Sequence, residues 1–284
     1  MPDQKVAIVT DSTTNLPRDI LQQYPITVLP LTLIWGDKTY SDSVDIQPDE
    51  FYRRLKTTTV IPTTSQVTPA QFGAAFGKLI EQGYGILCIV VASTLSGTLD
   101  SAIQAKAMYP AAHIELVDSQ TTSLAMGFQV LAAVRAAVKG ATLEECKAQA
   151  EKARANSSIF FCLDTLEFLY RGGRIGGAAR FLGTALNLKP ILELRGGQMI
   201  PVERVRTQRK ALGRLLELVE ERITGQSNVR LAIIDANAPE EAEIVMEKAR
   251  QQFKTIEILR SDVSPVIGTY AGPGTVGIAY MVGM

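Results

Sequence analysis

The chain alternates short unbroken apolar runs with stretches where apolar residues recur every three or four positions. Lys5–Thr10 (KVAIVT) is apolar on nearly every position and stops at Asp11-Ser12, which predicts a buried strand followed by a polar loop. Ile26–Leu33, Ile86–Val91 and His113–Val117 predict further strands, and Trp35–Tyr40 has the turn chemistry of a hairpin. Helices are predicted over Pro17–Tyr24, Pro48–Lys56, Pro69–Gln82, Ser96–Met108 and Thr122–Lys139. The last carries Leu124, Phe128, Leu131, Val134 and Val138 at helical spacing, so one face is expected to be buried. Strands alternating with helices imply an N-terminal α/β unit, a doubly wound, mostly parallel sheet with helices on both faces. Ligands of such sheets bind outside the carboxyl ends of the strands.

The pattern changes in the second half. Ser158–Leu163 predicts a strand, and Arg171–Gly177 is a glycine-rich segment read as a hinge. Ile191–Leu194 and Met199–Val205 flank an Arg195–Gln198 turn. Helices over Thr207–Thr224 and Pro239–Phe253 are interleaved with strands at Val229–Asp235, Thr255–Val263 and Val276–Val282. Hairpins mixed with two helices imply a C-terminal α+β sandwich with a largely antiparallel sheet. The expected domains are residues 1–160 and 161–284.

Charge and composition narrow the function. The 29 basic and 29 acidic residues balance, so no long-range field favours nucleic acid, and no nucleic-acid partner is expected. The mean hydropathy of +0.10 fits Ala- and Leu-rich helices, or an apolar cavity that adds lining to the core. Ile86–Ala92 falls far short of the ~20 apolar residues that cross a bilayer. Met1–Lys5 runs into a strand without a signal-peptide pattern, and Cys88, Cys146 and Cys162 are widely spaced, as in reduced proteins. A cytoplasmic location is the expectation.

Candidate chemistry lies in hydroxyl-rich loops. Thr10–Thr14, Ser93–Thr98 and Asp118–Thr122 follow predicted parallel strands, so they share one sheet edge; Thr63–Gln66 precedes a helix. Helix N-termini present free N–H groups that suit an anion, and Gly97 allows close backbone approach. The same residue types also serve as ordinary helix caps. The single histidine, His113, stands at the opposite end of its strand from these loops, and neither metal-ligand spacing nor a phosphate-binding Gly-x-x-x-x-Gly-Lys-Ser/Thr loop occurs. Three readings remain open. One is a binding protein for a small anion. The second is an enzyme for a phosphorylated or carboxylated metabolite, using Asp11, Ser12 and Arg174 in the domain cleft. The third is an interaction module using the basic Arg204, Arg206, Arg209 and Lys210 surface.

Several short motifs occur together in one order: Val9-Thr10-Asp11-Ser12, Pro62-Thr63-Thr64-Ser65-Gln66, Leu95-Ser96-Gly97-Thr98, Val117-Asp118-Ser119 and Gly172-Gly173-Arg174. Lys189-Pro190-Ile191-Leu192, Val205-Arg206-Thr207 and Ala271-Gly272-Pro273-Gly274 follow. In this order, across the whole chain, they resemble the DegV family of bacterial fatty-acid-binding proteins. The resemblance implies a carrier without a catalytic centre or cofactor. Such a carrier holds a long-chain fatty acid in an apolar tunnel between its domains. It presents the carboxylate to a separate kinase subunit, whose acyl phosphate enters phospholipid synthesis, and it makes transient contact with a membrane surface. It maps the carboxylate contacts onto Thr64 and Ser96, with Ser65, Gly97, Thr98, Asp11, Ser12 and Arg174 as further loop candidates. Tyr270 stands where the family usually has a third contact, a histidine; a phenol can donate a hydrogen bond but is not a cation near neutral pH. Val67 stands where the family often has proline. Arg206 matches an arginine tied to work with the kinase, and Arg204 adjoins it as a second partner contact.

Overall fold

The computed structural model describes residues 4–183 and 188–284; the first three residues of the N-terminal segment and residues 184–187 lie outside it. The chain begins with β1 (Val6–Asp11), α1 (Arg18–Gln23), β2 (Ile26–Leu29), β3 (Thr32–Trp35), β4 (Lys38–Ser41) and α2 (Pro48–Leu55). Then come β5 (Thr63–Ser65), α3 (Pro69–Glu81), β6 (Gly85–Val90), α4 (Thr98–Ala107), β7 (Ile114–Asp118), α5 (Ser123–Val138) and α6 (Leu143–Ala155). The second half contains β8 (Ser157–Cys162), α7 (Glu167–Arg171), β9 (Lys189–Arg195), β10 (Gln198–Val205), α8 (Gln208–Ile223) and β11 (Arg230–Asp235). It ends with α9 (Pro239–Gln252), β12 (Glu257–Asp262), α10 (Pro265–Ala271) and β13 (Val276–Met281).

Strands β2-β1-β6-β7 form an all-parallel sheet, with α3 and α4 packed on one face and α5 and α6 on the other. The expected strand over Ile26–Leu33 is broken at Pro30, which has no N–H to give to a ladder. Its two halves part: β2 stays in the parallel sheet, while β3 joins an antiparallel sheet of order β4-β3-β5. Thr63–Gln66, read from sequence as a loop, mostly forms β5, paired through Leu33↔Thr64 and Thr32↔Ser65.

The second sheet has the order β10-β9-β8-β13-β11-β12, antiparallel except for the β11–β12 pair. Strand β8 belongs wholly to it, so the chain passes between the two layers at Asn156. Alternation along these strands sorts two cores. Phe160, Cys162, Ile233 and Ile278 face α8 and α9, while Ile159, Phe161, Leu194 and Ile234 face the first domain. Both faces are covered, so the strand from Ile159 to Cys162 reads as an unbroken apolar run. Helix α5 is wedged between the two sheets. It is therefore buried on nearly every side, rather than on the one face its spacing suggests.

Three helices, α6, α7 and α10, were not foreseen. Thr142 caps α6 by accepting from Glu145 N, while the Glu145 carboxylate accepts from Thr142 N; this reciprocal pair is legible in the sequence as Thr-x-x-Glu. Helix α10 has Pro265 in its first turn and stops at Gly272, but it is short and almost featureless in periodicity. The glycine-rich segment is not a hinge. It caps α7 at Gly172 and continues into a 3₁₀ turn (Gly176–Phe181) that packs on β10 within the second domain.

Candidate functional site

The three loops at the carboxyl edge of the parallel sheet converge as parallel-sheet topology requires. Asp11 Oδ2 accepts from Val91 N at 2.8 Å, Ser93 Oγ donates to Asp118, and Ala92 N donates to Thr121 O. The edge faces the second sheet, and the space between them is a cavity of about 220 Å³. Val91 and Leu31 line it from the first domain; Ile159, Phe161, Leu194 and Ile234 line it from the second; Leu169, Val266 and Ile267 close it from α7 and α10. These side chains belong to the main apolar core, so the cavity is a gap in the core that joins the domains.

Polar groups along the wall divide into two kinds. Deep hydroxyls are committed inside the protein: Thr13 Oγ1 donates to Asp11, Ser123 Oγ to Asn15, and Thr275 Oγ1 to Ala271 O. At one end two hydroxyl pairs are only half committed. Thr64 Oγ1 and Tyr270 OH lie 2.5 Å apart, and Ser96 Oγ and Thr98 Oγ1 lie 2.8 Å apart. Each pair holds two protons and uses one in its mutual bond, which leaves one to donate. Ser96 Oγ also accepts from Thr98 N, the first amide of α4, and the Ser96–Thr98 pair keeps one proton to donate. Gly97 lets the Gln66 amide lie against the loop, where a Cβ would overlap it; Gln66 in turn donates to Ser101 Oγ. Ser65 lines the same end.

Arg174 borders this end. Its Nε donates to Leu95 O, its Nη1 to Gly172 O, and its guanidinium sits 5.1 Å from the Tyr270 ring centroid. On the far side of Thr64, Tyr270 and Arg174 lies an outer cleft of about 220 Å³, lined also by Ile61, Glu167, Phe168 and Arg171. These three residues therefore form the partition between the apolar cavity and the surface.

Asp11 and Ser12 are not part of the cavity lining. Asp11 is fully buried and accepts from Thr13 N, Thr13 Oγ1 and Val91 N; burial raises its carboxyl pKa, with those bonds acting against the rise. It is a cap, the ordinary alternative for such a residue. Ser12 Oγ donates to Asp42 and accepts from Leu31 N. Asp42 reaches across the domains: its Oδ1 accepts from Val266 N in the first turn of α10, the helix that carries Tyr270. Burial pushes the Asp42 carboxyl up to about 6, against the bonds from Ser12 and Val266. Sequence reading gave no sign of Asp42, because its partners are 30 and 224 residues away.

Arg204, Arg206, Arg209 and Lys210 are exposed on the outer side of β10 and the start of α8, and Arg204 stacks over Phe181. His113 precedes β7 at the edge opposite the cavity. Burial raises the thiol pKa of Cys88, Cys146 and Cys162, the last to about 12. Among the described residues no group of three His, Cys, Asp or Glu side chains could hold a metal, and no helix is long and apolar enough to cross a membrane.

A cavity between a parallel and a mixed sheet, with its hydroxyls at one end, can be set beside known proteins. The profile of the DegV family, described as an uncharacterised protein family, matches residues 5–282. The chain belongs to the DegV family. A DegV domain-containing protein of Streptomyces coelicolor is 37% identical over 275 residues, 96% of this chain and 97% of its own. Protein DegV of Bacillus subtilis is 32% identical over 276 residues, covering 97% and 98%. Among solved structures, a DegV family protein from Thermus thermophilus described as binding fatty acid superposes with a TM-score of 0.93. It is 33% identical and covers 98% of this chain and 99% of its own. Bacillus subtilis DegV, described as a fatty acid binding protein, superposes at 0.88 with 32% identity, covering 99% and 100%. The two-layer α/β plus α+β architecture is thus that of the DegV family.

Proposed function

We propose that this protein is a fatty-acid carrier. The acyl chain of a long-chain acid lies in the cavity, and Thr64, Ser96 and Tyr270 hold its carboxylate at the partition. The observation that carries the reading is the asymmetry of the cavity wall among the described residues, with deep hydroxyls spent internally and donors left over at one end. A buried carboxylate without donors would take up a proton. Two spare hydroxyl protons, with the Arg174 guanidinium beside Tyr270, supply that end. Burying about 15 methylenes is worth roughly 12 kcal/mol of transfer energy before ordering costs, enough to hold a lipid that otherwise partitions into membrane. The fatty-acid binding described for the Thermus thermophilus and Bacillus subtilis relatives supports the same reading.

The partition also suits presentation of the ligand. A carboxylate held there faces the outer cleft and its two arginines, Arg171 and Arg174. A separate kinase subunit reaching into that cleft would phosphorylate it, with Arg204 and Arg206 as contacts for the partner. The acyl phosphate would then feed phospholipid synthesis. Val60, Ile61 and Tyr170 are exposed near the cleft and give it an apolar rim for transient contact with a membrane surface while the lipid is exchanged. The metabolite-enzyme reading loses Asp11 and Ser12, whose side chains are committed elsewhere.

Native mass spectrometry of protein purified from cells tests the carrier. A bound fatty acid near one per chain is expected. A ligand-free spectrum, together with no binding of added acids of about 14 to 18 carbons, would overturn it.

A further inference from the structure

A second cavity, of about 440 Å³, lies on the other side of the loop that follows β7. Ser119–Thr121 line it, while Thr122 and Ser123 line the apolar cavity, and Leu194 touches both. Its character is the opposite of the first. Arg154 of α6, Arg195 of β9 and Arg222 of α8 converge on it, and no Asp or Glu is among the described residues that line it. Glu193 is buried behind the wall, and Asp118 stands beside it, its carboxylate accepting from Gln120 N at 2.9 Å and from Ser93 Oγ. Glu193 accepts from Ser158 Oγ at 3.0 Å and lies 3.3 Å from Arg222 but 3.8 Å from Arg195. Three guanidinium groups thus line the cavity, against two carboxylates held outside the lining. Arg154 donates to Asp118 O and makes no ion pair among the described residues.

The wall also holds unmet hydrogen-bonding capacity. Gln129 and Thr121 are buried and line the cavity, and neither Gln129 Oε1 nor Thr121 Oγ1 has a partner among the described residues; Ser157 Oγ, also in the lining, is likewise unpartnered. Buried polar atoms are ordinarily satisfied, so three in residues of one wall mark that wall for a partner outside the chain. The amide orientation of Gln129 is fixed by its Nε2 bond to Ser119 O, so Oε1 can only accept. A partner must therefore donate an O–H or N–H there while offering negative charge to the arginines.

We infer that this cavity is a second binding site, for a small anion that also carries hydroxyl groups, such as a hydroxylated phosphate ester or hydroxycarboxylate. Arginines are suited to either oxyanion, and the hydroxyl of the ligand answers Gln129, Thr121 and Ser157. A bare inorganic anion meets only half of this requirement. The site shares a wall with the apolar cavity but no polar group, so the inference does not depend on the fatty-acid reading.

Isothermal titration at fixed ionic strength tests it with four probes: ribose 5-phosphate, malate, inorganic phosphate and ribose. Saturable binding of ribose 5-phosphate or malate at millimolar or lower concentration is expected, and whichever binds identifies the oxyanion. Inorganic phosphate should bind at least tenfold more weakly, and uncharged ribose not at all. Arg154→Gln and Arg222→Gln should each weaken the binding about tenfold, the loss of one charge-assisted contact, and leave fatty-acid affinity close to wild type; Arg154→Gln, which breaks no ion pair among the described residues, should also leave the melting temperature unchanged, whereas Arg222→Gln lowers it by unpairing Glu193. Absence of saturable binding by both hydroxylated anions overturns the inference, as does binding that survives both substitutions unchanged. So does a crystal soaked in the bound probe that shows the cavity filled by water only.

Discussion

Replacing Thr64 with valine deletes one hydroxyl at the partition and keeps the side-chain volume. In the folded protein Thr64 Oγ1 shares a bond with Tyr270 OH, and the pair has a single proton to spare. The substitution leaves the phenol free to donate in its place, so the pair keeps one donor and loses only its placement, a cost below that of one charge-assisted hydrogen bond, under about 1.5 kcal/mol or less than tenfold in affinity. Ser96→Ala removes the spare proton of the second pair, since Thr98 Oγ1 is buried behind it. Its cost falls between about 1.5 and 3 kcal/mol. If the two act independently, the double variant loses at least the roughly 1.5 kcal/mol of Ser96→Ala, tenfold or greater. Displacement of a fluorescent fatty acid by palmitic acid reads the affinity directly. The decisive comparison is hexadecanol, which fills the same apolar space without a charge. Wild type should prefer the acid, Thr64→Ser should keep that preference, and the double variant should lose most of it. A double variant that binds palmitic acid within threefold of wild type, with the acid-to-alcohol ratio unchanged, would remove both hydroxyls from the site.

Two further outcomes follow from the groups around α10. The Asp42 carboxyl rises from 3.8 to about 6 on folding, so the folded state holds its proton where the unfolded chain has released it. Its contribution to stability is greatest below 3.8 and is lost as pH rises through about 6, by roughly 3 kcal/mol in all. Melting curves across that window should show Asp42→Asn gaining on wild type as pH rises; a constant difference between them would refute the assignment. Separately, a Cβ at Gly172 would overlap the Tyr270 ring, whereas Gly213 on α8 faces open space. Gly172→Ala should displace Tyr270 and weaken fatty-acid binding about tenfold, by a packing cost of the order of 1–3 kcal/mol, while Gly213→Ala leaves it unchanged. Equal affinities in the same displacement assay would show that the phenol is not needed where it stands.

Particular residues show why the sequence was legible in some places and not in others. The parallel strands could be read because they are buried on both faces, and Asp11, Ser96 and Thr122 could be placed at one sheet edge because parallel topology leaves no other arrangement. Pro30 was the visible break in what looked like one strand, and Thr142-x-x-Glu145 was the visible start of α6; both follow from backbone hydrogen-bonding chemistry alone. Which hydroxyls were caps and which were free could not be read. Asp11 and Ser96 carry the same local signal, yet Asp11 is saturated with the help of Val91 N, just past β6, while Ser96 and Thr98 together keep a proton.

By itself, the sequence determined the class of the fold, the edge on which the first domain's polar loops gather, and, through its ordered motifs, the family. These depend on hydrophobic period and on short-range backbone chemistry, which act within a few residues. Only the tertiary structure decided that Thr64 meets Tyr270 across 206 positions, that Asp42 anchors α10, and that the loop after β7 separates an apolar cavity from a cationic one. Those facts rest on which groups pair once the two sheets close on α5. The proton left over in a hydroxyl pair is a property of that pairing, and no single position in the chain contains it.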